Sequence, residues 1–170
     1  MSSDRVRLLE LWAVLALTMA CVLYTGQVLA APTAKLTPVG DGLELEVPGA
    51  NGAMVKETIP VYHAGTIRYF STGVGLEERS AHYPPFTLKV ILVAGAKAYL
   101  SQVSVSIAES TGQVLLEMPG EKVTGPWLFV DFPPGSYEIT ATRNQTKVKT
   151  RATITTGHIQ TVYMRWKEGG

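Results

Sequence analysis

Cysteine occurs once in the 170 residues, at Cys21, and histidine three times, at His63, His82 and His158. A lone cysteine excludes an internal disulfide framework, and a chain cut beyond it has no thiolate chemistry. The three histidines are too scattered to give a metal-ligand spacing. No Ser/His/Asp arrangement stands out from coincidence. Charge of one sign is missing too: 15 Lys and Arg oppose 14 Asp and Glu, for a net charge of +1. That balance excludes a dedicated nucleic-acid binder, which carries a strong basic excess. With 46% hydrophobic residues the chain is no acidic disordered tail either. No segment after the leader keeps a 3.6-residue apolar period over three turns, although 75–82 suits a short helix.

What is present begins with an address. Arg5 and Arg7 precede a run without charge from Leu11 to Ala34, the layout of a secretory signal. The run closes on Val28-Leu29-Ala30-Ala31-Pro32. Cleavage is expected after Ala30, because a cut after Ala31 would place Pro32 beside the scissile bond. The alternative is a retained anchor, in which 11–31 reaches the roughly 20 apolar residues of a membrane span only by including Gly26 and Gln27. A cleaved leader makes the rest periplasmic or secreted; a retained one makes it inner-membrane anchored with its domain in the periplasm. Cys21 reads as a small apolar residue of this run. Thr18 stands where a lipid-attachment box wants an aliphatic side chain, and Val22-Leu23-Tyr24 continues the run.

Residues 1–30 are therefore assigned to a signal peptide or membrane anchor. Residues 31–56, with Pro32, Pro38, Pro48 and four glycines, read mostly as a linker, with one alternating piece at 42–47 that suits a strand or edge hairpin. From 57 to 167 the pattern is short β-type runs separated by Gly, Pro and Asn turns. Residues 87–93 are apolar on nearly both faces and predict a central strand. Val103, Val105 and Ile107 alternate inward. In 147–155, Val148, Ala152 and Ile154 share one face while Lys147, Lys149 and Arg151 share the other, so the basic face points to solvent. That face is a solubilising surface or an attractor for a polyanion or anionic lipid. About seven or eight strands at this spacing predict an all-β antiparallel sandwich.

Smaller signals resolve locally. Gly73-Val74-Gly75 lacks the Gly-Lys-Thr of a phosphate loop and reads as a turn. Glu77, Glu78 and Arg79 then cap a short helix or form a charged contact surface. Tyr62, Tyr69, Phe70, Tyr83, Phe86 and Tyr99 cluster in the first half, and Tyr83-Pro84-Pro85-Phe86 reads as a surface loop. Tyr83, Phe86 and Tyr99 are thus the candidate ligand contacts, with core packing as the alternative; Trp127, Phe129 and Trp166 are expected in the core.

Trp127-Leu128-Phe129-Val130-Asp131-Phe132-Pro133-Pro134-Gly135-Ser136-Tyr137 carries a resemblance. Two prolines stop a strand, Gly135 is expected in a conformation that other residues avoid, and Tyr137 enters the next strand with its hydroxyl free to tie back to the turn. Trp127, Pro133, Pro134, Gly135 and Tyr137 together resemble the carboxypeptidase regulatory-like (transthyretin-like, prealbumin-type) β-sandwich and the related collagen-adhesin repeats. With 73–79, 87–93, 98–107 and 161–166, the likeness extends over 57–167 and is similar to small exported bacterial proteins of that class.

The resemblance implies a seven- to eight-stranded Greek-key sandwich and says little of function. No histidine here begins a His-x-x-Glu pair of the zinc carboxypeptidases. The C-terminal Arg165-Trp166-Lys167-Glu168-Gly169-Gly170 differs from the Tyr-Arg-Gly-Ser ending of the transthyretin-like hydrolases. Lys89 suits an isopeptide lysine, but the last strand has no asparagine. The expectation is a non-enzymatic binding or assembly module of the cell envelope, without catalytic residues, metal or cofactor. Its partner is another envelope protein or, as alternatives, a cell-wall glycan or a membrane complex joined through 11–31. Nucleic acid is not expected. A small hydrolase is the remaining class.

Overall fold

Strand follows strand because turn residues recur before any helical period can build. The computed structural model describes residues 34–48, 53–96 and 98–167; the leader, its cleavage site and Cys21 lie outside them. The described part belongs to one compact unit, Pro32–Gly170. It is all-β, with one five-residue helix, α1 (Leu76–Ser80). Among the described residues no helix is long and apolar enough to cross a membrane.

The described residues form three sheets. The first contains β1 (Lys35–Val39), β2 (Gly42–Pro48) and β3 (Met54–Pro60), in the order β1-β2-β3. The second contains β4 (Tyr62–Ala64), β5 (Ile67–Thr72), β6 (Leu88–Ala94), β7 (Ala98–Tyr99), β10 (Trp127–Asp131) and β13 (Gln160–Trp166). Its order is β13-β6-β10-β5-β4, with β7 on the end of β6. The third contains β8 (Ser104–Glu109), β9 (Val114–Met118), β11 (Gly135–Arg143) and β12 (Thr146–Ile154), ordered β12-β11-β8-β9. All pairs are antiparallel except β13 with β6.

The segment 31–56, expected to be mostly linker, instead carries β1, β2 and the start of β3. Its breakers occupy places a sheet tolerates. Pro38 is in the edge strand β1, Pro48 ends β2, and Gly40 lies in the two-residue turn joining them. The alternation at 42–47 is a strand, with Leu43 and Leu45 buried and Lys56 of β3 bridging Glu44 and Glu46 at 2.8 and 3.0 Å. Ten strands, rather than seven or eight, begin within 57–167. Pro60 divides what reads as one run into the end of β3 and the short β4, and β7 is only two residues long.

The main core is drawn from the facing sides of the second and third sheets. Leu88, Val90 and Leu92 of β6 and Leu128 and Val130 of β10 join Val105 and Ile107 of β8, Ile139 of β11 and Ile154 of β12. Met164 and Trp166 of β13 complete it. A second cluster joins the first sheet to the other side of the second: Leu43, Leu45 and Ile59 meet Phe70 of β5 and Phe129 of β10. The second sheet is thus covered on both sides at β5 and β10, the situation that favours long apolar runs.

Two side chains fasten the ends of β10. Ser71 Oγ donates to the Gly125 carbonyl at 3.0 Å and accepts from its N–H at 2.9 Å. Thr87 Oγ1 does the same at the other end, accepting from Phe132 N at 2.7 Å and donating to Phe132 O at 2.9 Å. A Cβ on Gly125 would lie 2.1 Å from the Thr72 carbonyl oxygen, so only glycine fits there.

Candidate functional site

The three aromatic candidates part company. After β5 the chain turns through Gly73–Gly75, forms α1 and crosses the outer side of β5 and β10. Phe86 is buried and meets Phe70 edge-on, with centroids 5.0 Å apart and planes at 77°. Phe70 stacks on Phe129 at 4.8 Å and 11°, and Tyr83 packs 5.0 Å from Phe129. Each such pair adds about 0.5–1.5 kcal/mol beyond its buried area. The loop 83–86 therefore presents core rings, not a flat sugar-stacking platform, because the first sheet closes over it. Tyr99, 50% exposed, is the one of the three that faces solvent, with the Arg79 guanidinium 5.3 Å from its ring centre.

Beneath the loop is a polar clamp. The buried Glu78 carboxylate accepts from Thr72 Oγ1 at 2.6 Å, from Val74 N at 3.0 Å and from Gly73 N. Tyr83 donates to the Glu78 carbonyl at 2.8 Å, and its hydroxyl lies 2.8 Å from Thr72 Oγ1. Arg79 spans the same turn, donating to the carbonyls of Gly73 at 2.9 Å and Val74 at 3.1 Å. Burial pushes the Tyr83 hydroxyl up to about 12; the Thr72 hydrogen bond opposes this, and the charges of Glu78 and Glu57 add to it. An acid satisfied by three donors and a phenol held neutral are fastenings, not an acid–base pair at ordinary pH. Glu78 sits in the first turn of α1 but makes no cap hydrogen bond to the helix; its carboxylate fastens the preceding turn at Thr72–Val74 instead.

The signature segment is built around Tyr137, whose hydroxyl donates to the Pro133 carbonyl at 2.8 Å while its ring packs 4.8 Å from Phe132. Gly135 does not take the left-handed conformation expected of it. Its requirement is space: a Cβ there would come within 3.1 Å of the Tyr137 hydroxyl and 3.3 Å of its ring. Pro134 separates the two strands within this turn. Trp127 is half-buried, and its indole Nε1 has no hydrogen-bond partner among the described residues. The Lys89 ammonium lies 3.3 Å from the Trp127 ring centre and 5.2 Å from that of Phe129. Burial lowers the Lys89 pKa, and the aromatic faces offset part of that cost.

Among the described residues no ion pair joins a histidine to a carboxylate, and no group of three His, Cys, Asp or Glu is placed to hold a metal. What sequence reasoning missed is an edge. Among the described residues strand β3 pairs only with β2, and Met54 to Thr58 are all exposed, with Met54 at 53% and Val55 at 50%. The other edge of that sheet, β1, is guarded by Pro38, which offers no N–H. The signal for β3 was faint, since Met54 and Val55 fall where the linker was expected to end.

No family model, curated protein or solved structure matches the chain.

Proposed function

We infer that this chain is an exported, non-catalytic binding or assembly module of the bacterial cell envelope. Its domain is proposed to be a Greek-key β-sandwich of the carboxypeptidase regulatory-like (transthyretin-like) class. The two-sheet origin of the main core and the Tyr137–Pro133 tie support that class. The observation that carries the function is the open edge of β3. An exposed strand with apolar Met54 and Val55 and no proline before Pro60 accepts a partner strand through its free main-chain groups. The proposed partner is another envelope protein; residues 11–31 supply a cleaved signal or an anchor.

The test is a photo-crosslinking side chain at position 55 of the full chain, expressed in bacteria and compared with one at the exposed Ile159. A single envelope-protein adduct from position 55 alone supports the inference, as does an intact mass beginning at Ala31 or a full-length chain in the membrane fraction. Equal adducts from both positions, or a chain that stays in the cytoplasm, would overturn it.

A further inference from the structure

The outward side of the third sheet is made of small hydroxyls walled by long charged side chains. On the two central strands Ser104 faces Thr142 and Ser106 faces Thr140 across the β8–β11 register. The same threonines face Lys147 and Lys149 on β12, and Glu138 faces Arg151. Short side chains in the middle and long ones at the side leave a trough. One depression of about 640 Å³ is floored by β8, β11 and β12, and a second of about 250 Å³ shares Ser106 and Thr140 with it and reaches Glu117. This side turns away from the main core, whose members on the same strands are Val105, Ile107, Ile139 and Ile154.

The walls differ in charge. Lys149 and Arg151 line the first depression on its β12 side, Lys147 stands farther along the same face of β12 opposite Thr142, and Glu138 pairs with Lys149 at 2.8 Å. Among the described residues Lys147 and Arg151 make no ion pair. Glu109 and Glu117 stand on the β8–β9 side. Such a floor offers closely spaced hydroxyl donors and acceptors, with carboxylates on one wall to accept from ligand hydroxyls and unpaired cations on the other to meet ligand anions.

We propose that this trough binds an acidic polysaccharide, its sugar hydroxyls on the Ser/Thr floor and its carboxylate or phosphate groups toward Lys147 and Arg151. The floor has no exposed aromatic ring on which the bases of a single-stranded nucleic acid would stack. Val114 is the one large apolar side chain exposed in its lining, too little to anchor in a bilayer, and a membrane surface would meet a trough poorly. The site is separate from the β3 edge, and either can fail without the other.

The test measures binding of polygalacturonate to the purified full chain, with dextran as the neutral counterpart, in parallel with a Lys147→Glu/Arg151→Glu variant. Both substitutions are at exposed positions, so the fold is retained and is checked by circular dichroism. The expected result is binding of polygalacturonate but not dextran, weakened at least about tenfold in the variant and progressively by salt. Thr140→Tyr, which fills the floor while leaving every charge in place, is expected to abolish binding as well. The proposal is overturned if the double variant binds equally, or if Thr140→Tyr leaves affinity unchanged. It is also overturned if polyglutamate, DNA or phosphatidylglycerol vesicles bind as tightly as the polysaccharide.

Discussion

The Tyr137 hydroxyl reaches back four residues to the Pro133 carbonyl at 2.8 Å, so one side chain both fills the core and closes the turn between β10 and β11. The two contributions are separable. Tyr137→Phe keeps the ring and removes the hydrogen bond, for an expected loss of about 1 kcal/mol. Tyr137→Ala also leaves a cavity, for about 3–5 kcal/mol. Urea unfolding of the two variants checks both figures, and equal losses would show that the ring is irrelevant.

Gly125 has no room for a methyl group. The new Cβ would collide with the backbone carbonyl of Thr72, and backbone cannot swing aside as a side chain does. Gly125→Ala is expected to cost about 3 kcal/mol or more, in the range of severe overpacking. Gly112→Ala, where nothing lies within 4 Å, is a control for glycine replacement at a left-handed turn position and should cost less. Thermal melts of the pair decide this.

Removing the Glu78 carboxylate strands three donors at once. Glu78→Ala is expected to destabilise the unit by about 2–3 kcal/mol, because the N–H groups of Gly73 and Val74 and the Thr72 hydroxyl lose their acceptor. Hydrogen exchange should report it locally, with amide protection lost at Gly73 and Val74 while β11 and β12 are unchanged.

Alkaline pH should unfasten the same loop from another direction. Tyr83 holds its proton more tightly folded, at about 12, than an unfolded tyrosine does at about 10. Its contribution is therefore fully present below pH ~10 and is lost as pH rises toward about 12. Melting temperature measured from pH 9 to 12 should fall less steeply for Tyr83→Phe than for the parent chain. A remaining slope is expected from Tyr69 and Tyr137, whose hydroxyls burial also raises. Parallel slopes in the two proteins would refute the assignment.

Local pattern was legible in the sequence wherever one face of a strand decides it. Val103, Val105 and Ile107 turn inward as their alternation requires, and Lys147, Lys149 and Arg151 turn outward. The 87–93 run lies between β13 and β10, as an apolar stretch on both faces predicts. Illegible were features set by distant chain. Nothing in Tyr83 or Phe86 reveals that Leu43, Leu45 and Ile59 of the first sheet join them in one cluster, and prolines on an edge look like prolines in a linker. At Gly135 the constraint is crowding by the Tyr137 ring two residues away, which leaves no mark on composition. The hydroxyl trough needed the register: Ser104, Ser106, Thr140 and Thr142 are ordinary polar residues until β8 and β11 are laid side by side.

The cover that the first sheet provides has a practical side. A chain trimmed to begin at residue 57, where the strand pattern invites a domain boundary, would lose β1, β2 and half of β3. Phe70, Phe86 and Phe129 would then lie bare on one broad surface. Contiguous apolar surface of that kind makes proteins stick to themselves. Recombinant work on this domain should start no later than Pro32, and a fragment that precipitates when started at 57 would be behaving as its missing roof dictates.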